Sequence, residues 1–95
     1  MNVPELKALV CQVIDKHAGH IITYAQQVEA SPELGFKETQ TARLTADFLT
    51  ELGFLCQEGL ALTGVKTKLK PNTTGPNIAI LGELDAVICP FERLV

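Results

Sequence analysis

The chain has 95 residues, 46% of them hydrophobic and 20% charged, with a formal net charge of −3. That length allows one domain at most, burying roughly 60–65% of its unfolded surface, and the composition is that of a globular rather than a disordered chain. A pI near 5.2 leaves no basic footprint for nucleic acid or an anionic membrane, and no apolar run approaches the ~20 residues of a bilayer span.

In chain order, Pro4 and Glu5 suit the first turn of a helix. Leu6, Leu9, Val10, Val13 and Ile14 follow as one apolar stripe, which predicts a helix over 4–17. Ala18-Gly19 is a candidate break, and Ile21, Ile22, Tyr24, Ala25 and Val28 continue a helical pattern beyond it. One interior glycine costs only ~1 kcal/mol, so one kinked helix and two separate helices both fit. His17 and His20 flank this point. Their spacing would place them on one helical face, but no third metal ligand lies nearby, and His17 suits a helix C-terminus as a capping or solvated cation.

Ser31-Pro-Glu-Leu-Gly-Phe36 reads as a turn. A helix is expected over 38–52, with Leu44, Phe48, Leu49 and Leu52 inward and Lys37, Arg43, Asp47 and Glu51 outward. Asp47 and Glu51 are expected to flank no basic partner at i+4, so ion pairs are expected to contribute little. Gly53 stands where a C-cap glycine belongs. A first strand is expected over 54–57 and a loop over 58–62. Val65–Leu69 alternates as a half-buried strand with Lys66, Lys68 and Lys70 on its wet face. Pro71–Pro76 should turn the chain into a hairpin whose return strand is the apolar run Asn77–Leu81. Cys11, Cys56 and Cys89 are odd in number and form no C-x-x-C pair. They are expected to be small buried hydrophobes in a reducing, cytoplasmic setting, and the N-terminus carries no signal-peptide pattern.

The chemistry is expected after Ile78–Leu81, read as a buried parallel strand that passes through Gly82 and delivers Glu83 and Asp85 to a sheet edge. Open α/β sheets bind ligands at such edges. Carboxylates there can hold hard cations or orient a metal-bound histidine. The plain alternative has Asp85 capping a helix and Glu83 facing water. Gly82, by permitting close approach, and Pro90, by closing the loop, favour the functional reading. No Gly-rich phosphate loop and no G-x-S-x-G elbow is present, and two histidines on an early helix do not complete a metal site, so no metal ligand is assigned.

Three segments carry a resemblance: Ser-Pro-Glu-Leu-Gly-Phe-Lys-Glu-Thr-Gln-Thr-Ala-Arg-Leu (31–44), Phe-Leu-Thr-Glu-Leu-Gly-Phe (48–54) and Gly-Pro-Asn-Ile-Ala-Ile-Leu-Gly-Glu-Leu-Asp-Ala (75–86). In this order they resemble the start of the M20 metallopeptidases, within the amidohydrolase branch of aminobenzoyl-glutamate hydrolase and aminoacylase-like proteins. The resemblance implies a larger enzyme with a Zn²⁺ or Mn²⁺ site and an inserted dimerisation domain. It further implies a metal-bound water attacking the amide carbonyl of a small N-acyl or aminoacyl substrate, with a glutamate as base. Asp85 matches the acidic residue of the family's first motif and is the implied catalytic residue. Glu83 stands where other branches place a ligating histidine two positions earlier, and is assigned to the edge of the site.

The fold expected is α/β: N-terminal helices (1–30), then a helix–strand–hairpin unit (31–95), together an incomplete piece of a zinc-peptidase-like sheet with helices packed on it. The family's main ligand motif and catalytic glutamate would lie beyond residue 90, and Phe91–Val95 reads as an arbitrary stop. The chain is therefore expected to be a partial catalytic domain, inactive and holding no cofactor by itself, with a homodimer possible. A non-catalytic module pairing through an exposed sheet edge is the alternative.

Overall fold

A computed structural model describes residues 1–87. The expectations for Cys89, Pro90 and Phe91–Val95 lie outside the described residues. The element order is helix α1 (Val3–Ala30), helix α2 (Thr39–Glu51), strand β1 (Cys56–Leu60) and strand β2 (Gly64–Thr67). This is a mixed α/β chain, in the class expected from the sequence. It divides into two compact units, one from Met1 to Ala30 and one beginning at Ser31. None of the helices among the described residues is long and apolar enough to cross a membrane.

The first unit is α1 alone. Asn2 is its N-cap: its Oδ1 accepts the Glu5 N–H at 2.9 Å, and the Glu5 carboxylate reaches back to the Asn2 N–H at 3.4 Å. This reciprocal pair satisfies two donors that a helix start would otherwise leave open. The helix runs uninterrupted through Ala18-Gly19, so one helix replaces the possible two, and the Thr23 hydroxyl donates to the Gly19 carbonyl at 2.9 Å. His17 is consequently a mid-helix residue and not a C-terminal cap. The stripe Leu6, Leu9, Val10, Val13 and Ile14 remains exposed and α1 buries no residue. Cys11, expected inside, is exposed with it.

In the second unit α2 packs against both strands. Its end follows the glycine signal closely. Gly53 adopts φ +93°, its N–H donates to Thr50 O at 2.9 Å, and Phe54 N–H donates to Leu49 O at 3.1 Å. These two bonds form a Schellman motif, which satisfies the last carbonyls. Ala46 and Thr41 are the buried residues of α2; Leu44, Phe48 and Leu49 are half-buried and Leu52 is exposed. The inward face is thus rotated toward smaller side chains than expected, because the layer it meets is a short hairpin. Arg43 pairs with Asp47 at 2.8 Å and with Glu58 at 3.1 Å. Asp47 does have a basic partner, one turn before it and not after. Both pairs are solvent-exposed, so their contribution to stability is small.

The hairpin joins different strands from those expected. β1 pairs antiparallel with β2, with Cys56 opposite Thr67, Gln57 opposite Lys66 and Leu60 opposite Gly64. Residues 58–60, read as loop, are strand, and Phe54 and Leu55 precede it. One extra residue sits on β1 between Gln57 and Leu60, where Gly59 takes φ +73°, a bulge that glycine accommodates. Among the described residues the run 77–81 pairs with no strand and is exposed: Ile80 is 95% exposed and Leu81 93%. The alternation of Val65–Leu69 reports strand character, which is local, and the strand itself is Gly64–Thr67, ending two residues sooner, whereas the choice of partner depends on which edge the fold brings alongside. Cys56 is half-buried, its Sγ 3.8 Å from Ala46 O.

Candidate functional site

The two segments expected to matter, 31–38 and 82–86, meet in the second unit although some fifty residues separate them. The Ala86 N–H donates to Glu33 O at 2.7 Å. Asp85 lies over the same turn: a Cβ added at Gly35 would sit 3.9 Å from Asp85 Oδ2, an ordinary contact distance. The turn itself is closed by Lys37 N–H donating to Leu34 O at 2.9 Å, with Phe36 at φ +63°.

Behind this turn, α2 begins without a local side-chain cap, since its N-cap residue, Glu38, makes no capping bond. Glu33 supplies one from five residues upstream. Its carboxylate accepts from Thr41 N–H at 2.7 Å, Thr41 Oγ1 at 2.8 Å and Gln40 N–H at 3.3 Å. An anion there also meets the positive end of the helix. The Thr41 N–H bond is the largest influence on Glu33, and with the Thr41 hydroxyl and Gln40 N–H it outweighs burial and holds the carboxyl below its ordinary value of 4.5.

Glu38 is buried beneath the same corner, 7% exposed, and accepts from Thr63 Oγ1 at 3.1 Å. Burial, the largest single influence, would raise its carboxyl. The N–H groups of Glu38, Phe36 and Lys37 turned toward it, with the Thr63 hydroxyl, together lower it below 4.5. Its Oε2 is buried with no hydrogen-bond partner among the described residues. From the sequence Glu33 belongs to a turn and Glu38 to a helix start, and no local motif marks either as an internal acceptor. Two acidic residues shortly before a helix start at Thr39 are the available signal.

Both lowered carboxyls give the second unit a common pH dependence. A group whose folded pKa is depressed contributes stability above its unfolded value and loses it as pH falls through the folded value. Stability should therefore hold above about 4.5 and decline below it, and Glu33→Gln should flatten that acid limb. Urea unfolding followed across pH checks this, and an unchanged acid limb in the variant contradicts it.

Glu83 and Asp85 are both exposed, and nothing among the described residues lies within 4 Å of a Cβ built at Gly82, so no close approach among them requires that glycine. Among the described residues, no group of three His, Cys, Asp or Glu side chains could hold a metal ion. Thr39, Ala42, Arg43, Glu58 and Thr63 help to line a pocket of about 180 Å³ between α2 and the hairpin. That is smaller than the roughly 300–1,000 Å³ of ordinary ligand sites, so it is a packing gap rather than a substrate pocket.

Comparison with known proteins gives three similarities. The chain is 35% identical over 74 residues to Thermostable carboxypeptidase 2 of Saccharolobus solfataricus, covering 77% of this chain and 18% of that protein. It is 33% identical over 79 residues to Hippurate hydrolase of Campylobacter jejuni, covering 83% of this chain and 20% of that protein. It is 34% identical over 74 residues to Thermostable carboxypeptidase 1 of S. solfataricus, covering 77% and 18%. The chain thus spans about a fifth of the length of the curated relatives it matches. No family model matches, and no solved structure matches. Over a short region, then, the chain is a relative of proteins named as carboxypeptidases and as a hippurate hydrolase.

Proposed function

We propose that this chain is the N-terminal part of the catalytic domain of an M20-type metal-dependent amidohydrolase, whose complete form cleaves an amide bond in a small N-acyl or aminoacyl substrate. The observation that carries the reading is the Ala86–Glu33 hydrogen bond, which brings Asp85 to the start of α2. The similarities to two carboxypeptidases and a hippurate hydrolase support the same reaction class. They favour it over the non-catalytic module, for which no relative speaks.

The described residues do not by themselves make a Zn²⁺ or Mn²⁺ site, because three suitable donors do not gather. What the residues do is place an exposed carboxylate, Asp85, on a backbone pinned to a capped helix. In the complete enzyme such a carboxylate would orient the group that activates water.

The test is a hybrid in which this chain replaces the matching segment of the C. jejuni hippurate hydrolase. Release of benzoate from N-benzoylglycine supports the reading. A hybrid that folds and binds metal yet releases none counts against it.

A further inference from the structure

We propose that Glu33 is the residue that positions Asp85, by tying the 82–86 segment to the N-terminus of α2. It is fastened at two ends. Its carboxylate is held by the Gln40 and Thr41 N–H groups and the Thr41 hydroxyl. Its own carbonyl, one residue's reach away, holds the Ala86 N–H at 2.7 Å. That N–H belongs to the peptide plane that begins at the Asp85 carbonyl, so fixing it fixes the backbone from which the Asp85 side chain departs. Two side-chain torsions then separate that pinned stretch of backbone from the Asp85 carboxylate.

Groups held this way lose little entropy on meeting a substrate, which is why functional side chains depend on supporting hydrogen bonds. A turn carrying a different residue at 33 could still close through Lys37 and Leu34. It would lose its link to α2, leaving the carbonyl that receives Ala86 free to swing. The link between the turn and α2 is therefore a side-chain property of Glu33, not of the backbone alone.

The positioning claim rests on the reading of Asp85 given above, and two measurements separate them. In the full chain, Glu33→Ala should speed proton exchange of the Ala86 amide by about tenfold or more, as expected when a charge-assisted hydrogen bond is removed. Glu33→Gln, which keeps an acceptor oxygen at the same reach, should restore part of the protection, and Thr63→Val should leave it unchanged. An Ala86 amide that is unprotected in the unsubstituted chain, or indifferent to Glu33→Ala, overturns the proposal. In the hippurate hydrolase hybrid, Glu33→Ala should lower kcat and leave KM unchanged. Faster exchange with kcat unchanged also overturns the positioning role. A hybrid inactive with Glu33 intact defeats the functional reading instead, and the exchange experiment still decides whether the tie exists.

Discussion

Placing an alanine at Gly64 will loosen the β1–β2 hairpin by about 1–3 kcal/mol, the usual cost of forcing an extra methyl group into a packed site. Gly64 faces Leu60 across the end of the hairpin, and a Cβ there would lie 2.6 Å from Leu60 O and 3.3 Å from Leu60 C and Cβ. The obstructing atom is backbone, so no side-chain rotation relieves the clash, and the strands must part. The loop cannot yield easily, because Ala61 and Leu62 already sit at φ +48° and +81°, a region that L-residues adopt only at a cost. Faster exchange of the hairpin amides, by about 10- to 100-fold, would register the change. Gly75→Ala is the control, since nothing lies within 4 Å of a Cβ there. Equal effects from the two substitutions would show that the Leu60–Gly64 closure is wrong.

Asp85→Asn is the second large effect. Asp85 is exposed, and an exposed carboxylate changed to an amide of the same shape ordinarily moves stability by less than about 0.5 kcal/mol. If Asp85 orients a water-activating group in the complete enzyme, the same substitution removes the charge that does so. Such supporting carboxylates are commonly worth about 10- to 100-fold in activity. In the hippurate hydrolase hybrid, the expected result is that fall in kcat/KM with an unchanged melting temperature. Full activity would place Asp85 outside the site, and a lowered melting temperature would make its role structural.

The helices were legible because their signals are local. The apolar stripe of α1, the punctuation of 31–36 and the glycine at 53 each act within one or two turns of chain. The sheet was less legible. Gly59 and Gly64 are visible, but Ala61 and Leu62 are not residues that announce a tight connection, and Pro71–Pro76 carries the stronger turn signal. The apolar run 77–81 was read by composition alone as a buried strand, yet burial requires a neighbouring layer, and the described residues offer it none.

The candidate site divides along the same line. Asp85 and Glu83 were singled out by type and position, and the structure places Asp85 against the turn at Gly35. Glu33 escaped notice because sequence rules for helix starts look to the N-cap and three residues beyond it, whereas this cap comes from five residues before. Glu38 was hidden for a different reason. Its partner, Thr63, is twenty-five positions away, and no local pattern connects them.

One contact joins the two segments, the hydrogen bond from Ala86 N–H to Glu33 O. Scalar coupling across that bond, from the Ala86 amide nitrogen to the Glu33 carbonyl carbon, measures it directly in an isotopically labelled chain. The predicted result is a correlation between these two nuclei that weakens in Glu33→Ala, where the carbonyl remains but its tether to α2 is lost. A chain in which Ala86 couples to another carbonyl, or to none, would contradict the joining of the two segments and the placement of Asp85 with it.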